Sequence, residues 1–168
     1  YTHELTLQVS QRFRLERDLR RAIERRELHL GWQPQFRLAS GALIGAECLL
    51  RWQHPEHGLV SPAEFIPLAE ESDLILSIGD WVLCAAIAQI STWQAHVPEL
   101  KASINLSPRQ LSASGLSQRI RLLLEQYGVS PGQIQLELTE SGLMQGLDAN
   151  AWLQQEAAAL GLLLSIDD

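Results

Sequence analysis

An α/β fold, built from βα units around a largely parallel sheet, is predicted by three features of the sequence. Short apolar runs of strand length alternate with helix-periodic segments of ten or more residues. Serine followed by proline opens two helical segments, at Ser61-Pro62 and Ser107-Pro108, and glycine closes two others, at Gly128 and Gly161. Successive strands also carry one oxygen-bearing side chain near their carboxyl ends: Glu47, Asn105, Glu137 and Asp167, with Asp168 next to the last.

The 168 residues, 46% hydrophobic and 20% charged, fit one domain with its own core and are neither disordered nor fibrous. No apolar run reads as long enough to span a membrane and no signal peptide opens the chain, so a soluble, cytoplasmic segment is expected. Cys48 and Cys84 lie in apolar stretches without metal-ligand spacing, which favours buried thiols in a reducing compartment. The formal net charge is -7, yet residues 1 to 26 hold seven of the 13 Lys+Arg and only four of the 20 Asp+Glu. The remainder is strongly acidic, which argues against long nucleic acid as a partner. A small anionic substrate is compatible with that charge if metal ions reverse it locally.

Arg12 to Glu27 reads as a charged lead-in helix, with Phe13, Leu19 and Ile23 apolar and a Glu16–Arg20 pair one turn apart. Leu28 to Phe36 is the first strand, carrying Gln33-Pro34 near its end. After a turn at Arg37 to Gly41, the run Ala42 to Trp52 has the length of a strand buried on both faces but contains Glu47 and Arg51. On a period of two these share a face with Leu49. An internal Glu47–Arg51 ion pair is the plain structural reading of the pair. His54-Pro55-Glu56-His57-Gly58 is a breaker-rich loop whose two histidines read as surface.

Ser61-Pro62-Ala63-Glu64 is an N-cap, first-turn proline and capping-box acid. Leu74 to Ala95 is a longer helix with Ile78, Trp81, Val82, Ala86, Ile90 and Trp93 along its core side. Lys101 to Ser107 is the third strand, followed by a short helix through Leu111. Leu116 to Tyr127 is amphipathic and stops at Gly128. Gln133 to Thr139 is the fourth strand, Asn150 to Leu160 a helix, and Leu162 to Ile166 the fifth strand.

In a barrel or open parallel sheet the carboxyl ends of the strands converge on one face, where ligands bind. Glu47, Asn105, Glu137, Asp167 and Asp168 are therefore expected to meet there. Oxygen donors without thiolate or histidine suit Mg²⁺, Mn²⁺ or Ca²⁺ rather than Zn²⁺. The tandem Asp167-Asp168 has the reach for two neighbouring ions, the arrangement that clamps a phosphodiester. Beside such a site, Arg51 reads as a phosphate contact, its guanidinium fork matching phosphate oxygens.

Glu47-Cys48-Leu49-Leu50-Arg51-Trp52 resembles the Glu-Ala-Leu-Leu-Arg-Trp signature of EAL domains, the bacterial cyclic di-GMP phosphodiesterases. The resemblance extends through Gln33-Pro34, His54-Pro55 to Pro67, Asn105-Leu106-Ser107, Glu137-Leu138-Thr139-Glu140-Ser141 and Asp167-Asp168. It implies a (β/α)₈ barrel of the triosephosphate-isomerase type whose first strand is antiparallel. It implies two Mg²⁺ or Mn²⁺ ions, one held by Glu47, Asn105, Glu137 and Asp167 and the second served by Asp168. Catalysis would fall to Glu47, Asp167 and Asp168, substrate binding to Gln33 and Arg51, and stabilisation of the loop after the fifth barrel strand to Glu140. Cys48 stands where the signature has alanine and is expected to face away from Glu47.

A (β/α)₈ barrel takes about 250 residues, and five strands are legible in this chain. Residues 28–168 are accordingly expected to be the amino-terminal two-thirds of an EAL domain. The lysine and further acid that the resemblance implies after Asp168 are not among the 168 residues. Residues 1–27 resemble the helix connecting a diguanylate cyclase (GGDEF) domain to an EAL domain, so an upstream GGDEF or sensory domain is expected, in a parent protein open to membrane anchoring. Two alternatives to hydrolysis stay open: an inactive receptor for cyclic di-GMP, and an inactive fragment that pairs with a second copy through its exposed sheet edge.

Overall fold

The computed structural model describes residues 2–139 and 153–167. Helix α1 covers Thr2–Ala22. It reaches the core through Leu15, Leu19 and Ala22, spaced as one helical stripe. Phe13, expected on that stripe, is 67% exposed, because a residue two positions from Leu15 points to nearly the opposite side of the helix. The expected Arg20–Glu16 pair forms, at 2.8 Å.

Strand β1 (Leu28–Phe36) pairs antiparallel with β2 (Leu43–His54), Gln33 opposite Glu47 and His29 opposite Arg51. The turn between them closes on Arg37, whose carbonyl accepts the amide of Gly41 at 2.8 Å, with Gly41 at φ 67°. A three-residue strand unforeseen in the sequence, β3 (Gly58–Val60), folds back on the end of β2. Helices α2 (Pro62–Glu71) and α3 (Leu74–Trp93) lead to β4 (Lys101–Asn105); α4 (Pro108–Ser112) and α5 (Leu116–Tyr127) lead to β5 (Ile134–Thr139). A π-helical stretch (Leu153–Ala157) and one α turn (Ala158–Leu160) precede β6 (Leu163–Asp167).

The sheet runs β1-β2-β4-β5-β6, antiparallel at the first pair and parallel at β2-β4, β4-β5 and β5-β6. This is the expected α/β architecture with its reversed first strand. Alternation then sorts the side chains. Ala46, Cys48 and Trp52 of β2, Ala102 and Ile104 of β4, and Ile134, Leu136 and Leu138 of β5 are buried under the helices. Gln33, Glu47, Arg51, Asn105 and Glu137 occupy the alternate positions and the opposite face.

Helix α3 is, by length and composition, apolar enough to cross a membrane, contrary to the sequence reading. In the fold it is the central core helix, burying Ile75, Ile78, Val82, Leu83, Ala86 and Ile90. Burial also corrects the reading of His54, which is 3% exposed rather than a loop residue at the surface. Its Nδ1 accepts the amides of Glu56 and His57 at 3.1 and 3.2 Å, so the ring proton sits on Nε2, 3.5 Å from the Asp18 carboxylate of α1. The histidine that ends β2 thereby faces the lead-in helix.

Ser61 stands at the N-cap of α2, but its side chain makes no capping bond. The Glu64 amide instead donates to the Ser61 carbonyl at 2.9 Å, so the expected capping box is absent there. At Ser107 the box is complete, with Gln110 as its third-position partner.

Candidate functional site

The β1-β2 hairpin and the parallel β2-β4-β5 register bring four of the expected residues to one rim. Gln33 lies across from Glu47 on neighbouring strands, and Asn105 across from Glu137. The remaining join, between β2 and β4, is made by side chains: Asn105 Nδ2 donates to Glu47 Oε1 at 3.0 Å. The amide of Leu106 donates to the carbonyl of Glu137 at 2.9 Å, extending the β4-β5 pairing past Asn105.

Glu47 and Arg51 do not form the ion pair that was the plain reading of their spacing. Arg51 Nη1 donates to the Leu50 carbonyl at 3.0 Å, and Glu47 takes its hydrogen bond from Asn105. A β-strand places residues four apart about 13 Å from one another along its axis, so neighbouring strands supply nearer partners. Arg51, Asn105, Glu137 and Thr139 line a cavity of about 290 Å³ together with Ile66 and Ile78.

Cys48, the departure from the family signature, points away from Glu47 as expected and is 3% exposed. Burial, reinforced by the nearby Glu47 charge, pushes its thiol from the ordinary 9.0 up to about 12. It is a small core residue, not a nucleophile.

Among the described residues no three His, Cys, Asp or Glu side chains gather closely enough to hold a metal. What gathers is two carboxylates and an amide. The backbone of Asp167 lies opposite Thr139 in the β5-β6 register, two positions beyond the Glu137–Ser165 pair. Asp168 and Glu140 lie outside the described residues. The donor set still fits a hard divalent cation, since each oxygen ligand type is one that Mg²⁺ and Mn²⁺ accept and no thiolate or histidine intrudes. In Glu47 and Glu137 alike, Oε1 is held by a side-chain amide, Asn105 for the former and Gln135, at 3.1 Å, for the latter.

Three residues around this rim escaped the sequence reading. Gln135 shares a strand face with Glu137 and was legible from the period of two. Glu70 and Gln110 had no such signal. Glu70 Oε1 accepts from Ser107 Oγ at 2.7 Å across 37 residues of sequence, and Gln110 Oε1 accepts the Ser107 amide at 3.1 Å.

The description "EAL domain" matches residues 16–168. Over its full length the chain is 38% identical to the bifunctional diguanylate cyclase/cyclic di-GMP phosphodiesterase MucR of Pseudomonas aeruginosa, of which it covers 25%. It is 39% identical over 163 residues to the cyclic di-GMP phosphodiesterase PA2567 of the same organism, covering 96% of this chain and 28% of that protein. The chain thus spans about a quarter of these relatives. Among solved structures, the PaMucR phosphodiesterase in complex with c-di-GMP matches with a TM-score of 0.86 at 41% identity, over 92% of this chain and 63% of that one. The EAL enzyme Bd1971, in its cAMP and cyclic-di-GMP bound form, matches with a TM-score of 0.89 at 33% identity, over 96% and 45%. With a family signature on β2, an antiparallel first strand and these likenesses across nearly every residue, the chain belongs to the EAL-domain family.

Proposed function

We propose that these residues form the amino-terminal part of a divalent-metal-dependent phosphodiesterase domain that hydrolyses cyclic di-GMP to the linear dinucleotide pGpG in bacterial second-messenger signalling. The observation that carries this reading is the 3.0 Å contact between Asn105 and Glu47, with Glu137 across the strand from Asn105 and Arg51 lining the same cavity as Asn105 and Glu137. It unites at one rim the residue types that a metal and a phosphate both require.

Glu47, Asn105 and Glu137 would hold the first of two Mg²⁺ or Mn²⁺ ions, with Asp167, and Asp168 would serve the second. When bound, such a cation stabilises charge on phosphoryl oxygens and acidifies a water. Arg51 orients the phosphate, since its planar fork offers several donors, of which Nη1 is engaged by the Leu50 carbonyl among the described residues. Gln33, exposed and opposite Glu47, contacts the substrate from β1. Ile66 and Ile78, apolar side chains lining the same cavity, limit the water around the phosphate.

Residues 1–27 act as a lead-in to 28–168, and the complete protein carries a GGDEF or sensory domain ahead of them, on the cytoplasmic side of the membrane if it is anchored. The 168 residues alone lack turnover, because barrel strands that complete the site are supplied by the rest of the protein.

The test is chromatographic detection of pGpG from cyclic di-GMP by the complete protein, with Mg²⁺ and with chelator, alongside calorimetric binding of the dinucleotide. Chelator-sensitive formation of pGpG supports the reading. Binding without product would make the domain a receptor, and neither would refute both.

A further inference from the structure

Asn105 closes the rim by reaching Glu47, and it sits at the last position of β4, where the pairing with β5 ends one residue later at the bond from the Leu106 amide to the Glu137 carbonyl. Two residues later the chain is fastened unusually well. Ser107, 9% exposed, donates its hydroxyl to Glu70 Oε1 at 2.7 Å, accepts the Arg109 amide at 3.4 Å, and gives its own amide to Gln110 Oε1 at 3.1 Å. Arg109 adds hydrogen bonds to the Glu70 carbonyl and to the Asp73 carboxylate. The connection between β4 and α4 is thereby buckled to the end of α2.

The seat of this buckle is a glycine inside α3. Gln110 is 5% exposed, and its carboxamide lies directly over Gly79: a Cβ built there would stand 1.9 Å from Gln110 Nε2 and 2.4 Å from its Cδ. Glycine weakens a helix interior relative to alanine. At this position it clears the volume in which Gln110 turns back to cap Ser107.

We propose that Glu70, Ser107 and Gln110, seated on Gly79, are positioning residues that hold Asn105 against Glu47 and so set the geometry of the metal rim. Resting on the function proposed above, the inference extends it to residues that touch neither substrate nor metal. Outer partners of metal ligands commonly carry 10–100-fold of metal affinity, and this set acts on one ligand through two residues of backbone. Glu70 also borders the same cavity as Asn105 and Glu137, so a shift of its carboxylate is felt on the rim side of the strand.

The experiment compares Ser107→Ala, Glu70→Ala, Glu70→Gln and Gly79→Ala in the complete protein, each checked for a wild-type circular dichroism spectrum. The readouts are Mn²⁺ affinity by calorimetry, the split between KM and kcat for cyclic di-GMP, and the solvent-exchange rate of the Asn105 side-chain amide in Asn-labelled protein. Ser107→Ala and Glu70→Ala are expected to weaken Mn²⁺ by about tenfold or more, to leave KM within about twofold, and to speed exchange of the Asn105 amide. Glu70→Gln keeps an oxygen for the Ser107 hydroxyl and is expected to restore most of the affinity. Gly79→Ala, by displacing Gln110, is expected to mimic Ser107→Ala.

Unchanged Mn²⁺ affinity and unchanged Asn105 exchange in the folded Ser107→Ala and Glu70→Ala proteins would overturn the inference, as would a Glu70→Gln protein no better than Glu70→Ala. If the wild-type protein takes up no Mn²⁺, the proposed function fails, and the exchange rate of the Asn105 amide alone decides whether the buckle positions it.

Discussion

Trp52 ends the signature run of β2 but faces the core, and its partner makes it the sharpest test of how that strand is held. Its ring is fully buried, edge-on to Phe65 with centroids 5.6 Å apart, and Nε1 donates to the Glu27 carboxylate at 3.0 Å. Glu27 is itself 9% exposed, its nearest cation being Arg25 at 3.8 Å. Replacing Trp52 with Phe shrinks the ring in a packed core, costing about 1–2 kcal/mol, and strands the carboxylate, costing about 1–3 kcal/mol more. The sum expected for Trp52→Phe is about 2–5 kcal/mol. Glu27→Gln keeps an acceptor for the indole and is expected to cost about 1 kcal/mol. The double variant removes the stranded charge and should therefore be less destabilised than the sum of the singles, by about 1–2 kcal/mol. Urea unfolding of the EAL domain followed by far-ultraviolet circular dichroism measures all four proteins. A Trp52→Phe loss below about 1 kcal/mol, or additivity within about 0.5 kcal/mol, would refute the view that this buried bond fixes β2 to the α1-β1 junction.

Three further outcomes are expected. Cys48, with its thiol near pH 12, should resist alkylation at pH 8 in the folded domain and label at once in urea; stability should decline as pH rises above 9.0, where the unfolded thiol ionises and the folded one does not. Prompt labelling of folded Cys48 would contradict its burial. The Asp18 carboxyl is opposed by burial, but Arg17 and His54 more than offset this and hold it below the ordinary 3.8. Its stabilising contribution is whole above that value and lost as pH falls through the lower folded value, so Asp18→Asn should flatten the acid limb of a pH–stability curve. Arg51→Ala should weaken cyclic di-GMP binding by about 10–100-fold, as loss of a charge-assisted contact implies, with Arg51→Lys recovering only part of it by calorimetry.

Where an element announces itself by local chemistry, the sequence was enough. The Gly128 stop of α5 and the Ser107 cap with Pro108 that open α4 appear where expected, and the period of two sorted Glu47 and Arg51 from Cys48 and Trp52. The misread residues are those whose surroundings come from afar. His54 looked like loop surface because Pro55 and Gly58 follow it, yet it is buried partly against Asp18 on α1, 36 residues earlier. Strand β3 has only three residues, too few to show a period. The Glu70–Ser107 bond joins two helix ends 37 residues apart, and neither residue's neighbours announce it. Of the candidate site, the signature and strand-end pattern named the residues; the cross-strand contact from Asn105 to Glu47, in place of an intrastrand Glu47–Arg51 pair, came only with the register.

The central claim is that carboxylate and amide oxygens from separate strands share one cation-holding rim that cleaves a cyclic dinucleotide. Its most direct test is the Mg²⁺ dependence of pGpG formation by the complete protein and by its Glu47→Ala variant. Product that rises with Mg²⁺ in the wild type and stays at background in a folded Glu47→Ala protein is the expected result. Mg²⁺-dependent hydrolysis persisting in that variant would contradict the account.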